Sequence, residues 1–382
     1  MEKNKRWNQI DDPKVSIIVL STENNKLMEK CLNSIQRQTC QNFEVICIDN
    51  QDNEDSSETV KRYIETDNRF RLADRILQGT AEMYNEGLRL AKGEFCLFLE
   101  GNDFLEKNML KMNLKKAEKE KADICLSGVC VLGEEELYEK EEGFFQSKYM
   151  SDTGVFETNT FPYIFNITNE YLCNKFFRKT LLEKNEIQFK SSCCGIDLYF
   201  VFLAMVLSQK VAVISEKYVN HKLVQKDDCR YSKMSFEHYC EMLKLLQRRV
   251  SVSDMCPDAQ NNFRNMALHI LLNSLLAAET FLEFGNIYYM LKNSIFEELG
   301  ISKLQEEHCL NKREYEIYRN IMQYDVREYM FREIRSMKSK KKRWIKATEI
   351  AEKDVKETRN CATLKTGRMI LSVPRKIKRI IG

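Results

Sequence analysis

Proline, glycine and histidine are scarce in this sequence. Its 382 residues include 4 prolines, 13 glycines and 4 histidines. So few chain-breaking residues argue against extensive disorder and against an all-β fold, which needs many tight turns. The histidines are His221, His238, His269 and His308, and their wide separation predicts no histidine metal cluster.

Long apolar runs and paired cysteine motifs are absent as well. No run reaches the roughly 18 apolar residues of a membrane span, and the first twelve residues are largely polar, so we expect neither a span nor a signal peptide. The 14 cysteines include no Cys-X-X-Cys pair. Their places in apolar segments, such as Cys47 and Cys96, favour buried free thiols in a reducing cytoplasm over disulfides or a zinc framework.

The charge of the chain is nearly balanced, but its distribution is not. The formal net charge is +3, whereas residues 365–382 contain six Lys or Arg and no acid. This mixture of basic and apolar residues is typical of an amphipathic anchor on an anionic membrane surface. The alternative is a tail packed on the preceding helices. Nucleic-acid binding is not expected, because aromatic residues are not interleaved with the basic ones.

Strand and helix patterns alternate over the first 130 residues. The apolar runs "KVSIIVL" (14–20), "FEVICIDN" (43–50) and "EFCLFLE" (94–100) predict buried strands. Amphipathic segments between them predict helices, so the pattern indicates βαβ units and a mainly parallel sheet. Ligands of such sheets bind beyond the carboxyl ends of the strands. We therefore expect the polar residues that follow these three strands to face one crevice.

The second half of the chain has a different pattern. Residues 196–210 predict an apolar helix that starts near Asp197, and residues 211–223 predict a strand pair. Amphipathic patterns then predict an all-α region with helices at 235–250, 258–285, 286–298, 303–323 and 325–358.

Several segments in this order resemble family 2 glycosyltransferases of the GT-A fold. They are "PKVSIIVLSTENNKLMEKCLNSIQRQTCQNFEVICIDN", "NEGLRLAKGEFCLFLEGNDF" and "CNKFFRKTLLEKNEIQF". The resemblance implies an α/β, Rossmann-like nucleotide-sugar-binding domain over residues 13–225, with a mixed, mainly parallel sheet. The all-α domain would then cover 235–360, and the basic amphipathic tail 361–382.

The resemblance also implies a chemistry. It is the inverting transfer of a sugar from a UDP- or GDP-sugar to a glycan or lipid-linked acceptor, in surface polysaccharide synthesis. Mn²⁺ or Mg²⁺ would neutralise the diphosphate leaving group. The expected place is the cytoplasm, at the inner face of the membrane.

Each expected site residue matches a position of the family pattern. The nucleotide-sugar-binding residues are expected to be Ser21, Thr22, Glu23, Asp49, Asn50, Asn85 and Glu100. The metal ligands are expected to be Glu100, Asn102 and Asp103, and the general base Asp197. Each of the three aspartates has a purely structural alternative: Asp49 could cap a turn, and Asp103 and Asp197 could each cap a helix.

The sequence departs from the family pattern at five positions, which are Thr22, Asn50, Tyr84, Asn102 and Ile196. Asn102 matters most, because an amide replaces the usual carboxylate ligand. These departures support a second hypothesis, a non-catalytic glycosyltransferase-like binding or scaffold protein. A third hypothesis is a transferase in which basic side chains replace the cation.

Overall fold

The structure is a computed structural model of the whole chain. It describes residues 12–22, 24–49, 54–73, 79–132, 149, 153–190, 196–222, 236–251, 255–339, 341–342 and 353. The chain divides into two compact units, Met1–Tyr315 and Glu316–Gly382.

The first unit is built on a mixed sheet with nine strands in the described residues. The strands are β1 (Val15–Leu20), β2 (Phe43–Ile48), β3 (Phe70–Leu72), β4 (Phe95–Glu100), β5 (Asp103–Leu105), β6 (Ile124–Leu132), β7 (Val155–Glu157), β8 (Lys175–Arg178) and β9 (Lys210–Lys222). Their order is β3-β2-β1-β4-β8-β6-β9-β5, with β7 also paired to β9. The β3-β2-β1-β4 part is parallel, as the sequence predicts. Beyond it, β8 is antiparallel to both of its neighbours.

Helices connect and cover these strands. The helices are α1 (Asn25–Gln36), α2 (Glu54–Thr66), α3 (Thr80–Leu90), α4 (Met109–Glu120), α5 (Lys179–Lys184), α6 (Ile196–Leu207), α7 (Phe236–Ser251), α8 (Pro257–Leu276), α9 (Phe281–Met290), α10 (Phe296–Glu298) and α11 (Lys312–Gln323). A π-helical segment, Leu291–Ile295, joins α9 to α10. Residues 326–339 are also helical.

Local sequence explains how α1 begins and which face it buries. The Asn24 side chain accepts a hydrogen bond from the backbone N–H of Leu27, which satisfies one of the donors left open at a helix start. Met28, Leu32 and Ile35 recur at helical spacing and are completely buried. Strand β1 is buried at every position, as expected for a strand with helices on both faces.

Two glycines allow α3 to approach the sheet closely. A Cβ on Gly87 would lie 2.4 Å from Cγ2 of Ile18. A Cβ on Gly93 would lie 2.4 Å from the backbone nitrogen of Ser16, whose hydroxyl accepts a hydrogen bond from the Gly93 N–H. A side chain at either position would push the helix or its connection away from β1.

Four sequence expectations about element bounds are wrong. The strand pair expected at 211–223 is one long strand, β9 (Lys210–Lys222), which stays paired with β6 through register shifts near Gly128. The helix expected at 258–285 is two helices, α8 and α9, and α11 begins only at Lys312. The short strand β5 was not expected at all.

The sequence also predicts buried free thiols and no membrane-spanning helix. The described cysteines are free thiols, and six of them are buried. Among the described helices, none combines the length and the apolar character that crossing a membrane requires. The tail, residues 361–382, lies outside the described residues.

Candidate functional site

The carboxyl ends of three neighbouring strands meet at one edge of the sheet. Leu20, the last residue of β1, is in register with Ile48 of β2 and with Glu100 of β4. The pairing continues one step further, since the Gly101 N–H donates to the Leu20 carbonyl over 2.9 Å. The expected convergence of these strand ends is therefore confirmed.

The first two strands bring a hydroxyl and a carboxylate together. The Ser21 hydroxyl donates to Oδ1 of Asp49 over 2.6 Å, and both Thr22 and Asp49 are buried. Ser21 and Asp49 together present oxygen atoms that can hydrogen bond to a ribose or to the edge of a base. The other two residues expected here, Glu23 and Asn50, lie outside the described residues.

Asn85 anchors a neighbouring segment of the chain. Its amide nitrogen donates to the Phe189 carbonyl over 2.9 Å, and its amide oxygen accepts from the Phe189 N–H over 2.9 Å. The Phe189 ring stacks on Phe200 and on Tyr84. Tyr84 is thus part of a buried aromatic cluster, which gives this departure from the family pattern a packing role.

Asp103 is paired with a histidine rather than placed at a helix start. Its Oδ1 lies 2.6 Å from Nδ1 of His221, and its Oδ2 accepts from the Glu100 N–H over 3.0 Å. Strands β5 and β9 hold the two side chains in register, and both residues are about 2% exposed. Asp103 is therefore not the cap of α4, which starts after Asn108.

Asn102 joins the end of β4 to the end of β9. Its amide nitrogen donates to the Lys222 carbonyl over 2.8 Å. Its Oδ1 is buried and has no hydrogen-bond partner among the described residues. A buried carbonyl oxygen without a partner carries a desolvation cost, so this atom is suited to accept a ligand.

The fold brings one histidine into a cluster of potential metal ligands. Asp103, Cys173 and His221 each offer one ligand atom, and these atoms lie within 4.8 Å of one another. No pattern in the sequence predicts that His221 lies beside these two residues. Residues 103 and 221 are 118 positions apart, so only strand pairing could reveal this contact.

The chemistry of this cluster favours a hard divalent cation. Burial raises the pKa of the Cys173 thiol well above its usual range, and the Asp103 carboxylate raises it further, so the thiol stays protonated. Burial opposes protonation of His221, but the Asp103 carboxylate outweighs it and raises the His221 pKa. The carboxylate and amide oxygens remain as ligands, and His221 can join them in its neutral form; such a set suits Mn²⁺ or Mg²⁺ better than a thiolate-binding metal.

Asp197 lies in the first turn of α6, one residue inside the helix rather than at its cap position. Burial raises the pKa of its carboxyl well above the usual range, and the charges of Glu100 and Glu170 raise it further. The Lys175 ammonium acts in the opposite direction. Glu100 and Asp197 are therefore close enough for their charges to interact, although they come from different elements.

Lys175 is a fully buried lysine at the start of β8. Its ammonium nitrogen donates to the Tyr171 carbonyl and to Oδ1 of Asn174. Asn174 in turn donates to the Ser127 carbonyl over 3.0 Å, which ties this corner to β6. Burial lowers the pKa of Lys175 to about 7, despite the opposing charges of Glu170 and Asp197.

Three residues near the predicted site were missed by the sequence analysis: Glu170, Cys173 and His221. Glu170 ends a stretch with an irregular pattern, and Cys173 lies three residues further on, where the sequence indicates a strand or turn that leads into a helix. A family motif covered Cys173, Asn174 and Lys175, but it assigned Cys173 no role. The only available signal for His221 was its place in a β-rich run.

Comparison with known proteins finds a family model that matches much of this α/β region. Residues 16–185 match the family model of glycosyl transferase family 2. The chain is similar to the GalNAc(5)-diNAcBac-PP-undecaprenol beta-1,3-glucosyltransferase of Campylobacter jejuni, at 31% identity over 34% of the chain and 42% of that protein. It is also similar to the glycosyltransferase GlyG of Streptococcus pneumoniae, at 27% identity over 34% of the chain and 42% of that protein.

A third relative and two solved structures come from Staphylococcus aureus. The relative is the poly(ribitol-phosphate) beta-N-acetylglucosaminyltransferase TarP, at 25% identity over 47% of the chain and 53% of that protein. The chain therefore spans about two fifths to one half of these relatives.

TarS 1-349 is similar in structure, with a TM-score of 0.62 and 19% identity over 81% of the chain and 90% of TarS 1-349. Its complex with UDP-GlcNAc has a TM-score of 0.60, with 17% identity over the same shares. The predicted fold, a GT-A domain followed by a helical region, is confirmed.

Proposed function

We propose that this chain, whose residues 16–185 match the model of glycosyl transferase family 2, transfers a sugar from a UDP- or GDP-sugar to a glycan or lipid-linked acceptor. The observation that carries the proposal is the meeting of Ser21, Asp49 and Glu100 at three adjacent strand ends, with Asp197 within electrostatic reach of Glu100. The names of the relatives support the reaction class, and TarS bound to UDP-GlcNAc supports a nucleotide-sugar donor.

In this proposal the two sides of the crevice have different tasks. Ser21, Thr22 and Asp49, with Glu23 and Asn50, bind the nucleoside, while Asn85 holds the segment that leads to α6. Asp197 accepts the proton of the acceptor hydroxyl. The acceptor oxygen then bonds to the anomeric carbon, and the electron pair of the broken C–O bond leaves with the diphosphate. One such displacement inverts the anomeric centre.

A divalent cation fits the residues beyond β4 and β9. The fit rests on the carboxylates of Glu100 and Asp103, the buried Oδ1 of Asn102 and the imidazole of His221. A bound cation would supply positive charge to the departing diphosphate. The chain's own part is to hold these ligands, which it does by pairing β5 with β9 and by the Asn102–Lys222 hydrogen bond.

The location of the reaction is a further part of the proposal. Relatives that are named for undecaprenol-linked or polymer acceptors support a cytoplasmic reaction at the membrane surface. The basic, apolar tail at 361–382 would provide the contact with anionic lipid.

Replacing Asp197 by Asn tests the proposed function. We expect Asp197→Asn to lower sugar transfer at least about 100-fold, because general base catalysis contributes about 10²–10⁴-fold. Binding of the nucleotide sugar should stay within about twofold. In the wild type, transfer should fall as the pH drops through the raised pKa of Asp197, since only the carboxylate accepts a proton.

The matched control is Asp258→Asn, because Asp258 is also the aspartate of a first helical turn but is exposed and outside the site. Equal transfer by wild type and Asp197→Asn would contradict the proposal. Wild-type protein that binds donor sugars but transfers none would favour the non-catalytic binding protein instead. Full turnover in excess EDTA would favour the cation-independent transferase.

A further inference from the structure

A large cavity lies in the first unit, next to the proposed site. Its volume is about 1190 Å³, and its walls come from the loop before β8, from α6, α7, α8 and α9, and from the start of α11. Pockets for small ligands usually have about 300–1,000 Å³. This cavity therefore has room for an extended ligand rather than for a single sugar ring.

The walls of the cavity are rich in amides and aromatic rings. The amide residues are Asn166, Asn169, Asn265, Asn273, Asn286 and Asn311. Amides both donate and accept hydrogen bonds, as sugar hydroxyls do. Oδ1 of Asn166 is buried and has no hydrogen-bond partner among the described residues. Phe165, Phe236 and Tyr239 supply the apolar surface that ring C–H groups need.

The charge of the cavity walls is unfavourable for a polyanion. The described lining contains the carboxylates of Glu170, Glu237, Glu283 and Glu314, but only two cationic residues that are always charged near neutral pH, Lys312 and Arg313. A phosphate polymer would meet net repulsion here, and like-charge contact weakens binding. A neutral ligand would meet none.

The cavity and the proposed general base share helix α6, which contributes Phe202 to the cavity wall and carries Asp197 in its first turn. Glu170 also belongs to the cavity wall, and its charge acts on Asp197 and on His269, a wall residue of α8. His269 is held by Glu314, with Nδ1 and Oε1 2.7 Å apart, and by the Asn273 amide at 3.0 Å from Nε2. An acceptor in the cavity would thus extend toward Asp197 along a wall with fixed polar groups.

We propose that this cavity is the acceptor site, and that the acceptor is a neutral, hydroxyl-rich oligosaccharide rather than a polyol-phosphate polymer. The inference rests on the proposed function, since it names the acceptor class of the same reaction. It also separates this chain from TarP, the relative whose name specifies poly(ribitol-phosphate).

The test places a bulky residue in the cavity and measures acceptor and donor separately. Asn273→Trp fills the cavity from α8, and Gln260→Trp is the matched control, because Gln260 is an exposed residue of α8 outside the cavity lining. Binding of neutral hexasaccharides of the chitin and maltose type, and of a ribitol-phosphate hexamer, is measured by saturation-transfer NMR and calorimetry. Binding of UDP-GlcNAc and its slow hydrolysis by water are measured in parallel.

We expect the wild type to bind at least one neutral hexasaccharide more tightly than the phosphate oligomer. Asn273→Trp should weaken that binding at least tenfold and leave donor binding and hydrolysis unchanged, while Gln260→Trp should change nothing. The milder Asn273→Ala should weaken binding about two- to tenfold, as loss of one hydrogen bond predicts. It keeps the test valid if the tryptophan variant does not fold.

Three outcomes overturn the proposal: tighter binding of the phosphate oligomer, equal effects of the two tryptophan variants, or no binding of any neutral hexasaccharide. Wild-type protein that neither binds nor hydrolyses a nucleotide sugar would overturn the proposed function itself. Because oligosaccharide binding is measured without donor, the two failures are distinguishable.

Discussion

At the scale of single residues, Lys175 is a buried ionisable group whose charge interacts with the proposed base, Asp197. A charged ammonium without water is unfavourable, which is why burial lowers its pKa from 10.5 to about 7. The unfolded chain keeps the ordinary value, so between about pH 7 and pH 10.5 it binds more protons than the folded protein. Lys175 therefore makes stability rise with pH in this window.

Replacing Lys175 by Met should remove this pH dependence. Urea unfolding at pH 7, 8 and 9 should show wild-type stability rising relative to Lys175→Met by roughly 1 kcal/mol per pH unit. The loss of two hydrogen bonds should also cost the variant about 1–3 kcal/mol at every pH. Lys111→Met, at an exposed position of α4, is the control and should follow the wild type. Parallel curves for wild type and Lys175→Met would show that Lys175 does not titrate as described.

Single residues also show where sequence reasoning succeeds and fails. Asp49 and Glu100 were predictable, because each directly follows or ends an apolar run that could only be a buried strand. His221 and Glu170 were not, since their nearness to Asp103 and Asp197 depends on pairing between distant segments. The chemical type of a residue can be read locally, but its partner cannot.

At the scale of elements, long strands could be predicted from local sequence, whereas a short strand that depends on a distant partner could not. Strands β1, β2 and β4 were predictable to within two residues because every position of each, apart from Glu100, is apolar or buried. The three-residue β5 exists only because Asp103 to Leu105 pair with β9. The break between α8 and α9 had a local signal that was missed: Thr280 caps α9 through the Glu283 N–H, and the Glu283 carboxylate accepts from the Glu279 N–H.

The turn between β4 and β5 yields a prediction about Gly101. A Cβ at this position would lie 2.7 Å from Sδ of Met28 and from Cγ2 of Thr22. We expect Gly101→Ala to cost about 1–3 kcal/mol of stability, as overpacking does, and to weaken nucleotide-sugar binding by displacing Thr22. Urea unfolding and calorimetry measure the two effects.

Gly285→Ala is the control for this change. A Cβ on Gly285 meets no atom within 4 Å, and the residue lies inside α9. Alanine should therefore stabilise that helix by roughly 0.5–1 kcal/mol. Gly101→Ala protein with wild-type stability and donor affinity would show that the β1 and β4 ends are not packed as described.

At the scale of the whole molecule, the proposed ligands connect strands that are distant in sequence. Glu100, Asp103 and His221 come from β4, β5 and β9, and Asp49 follows β2, all in one sheet of the unit Met1–Tyr315. Unfolding of this sheet separates them, so the unfolded chain has no such site. Ligands that bind here must therefore stabilise the folded unit as a whole.

Thermal unfolding with a nucleotide sugar and Mn²⁺ should show this linkage. At 100 times its dissociation constant, a ligand adds about 2.7 kcal/mol to stability. We expect the donor and the cation together to raise the Tm more than the sum of their separate effects. The reason is that the cation offsets the repulsion between the diphosphate of the donor and the carboxylates of the site. Glu100→Gln should lose most of this cooperativity, whereas Glu65→Gln, an exposed position of α2, should retain it. The strand ends would not be the donor site if no UDP- or GDP-sugar raised the Tm, with or without the cation.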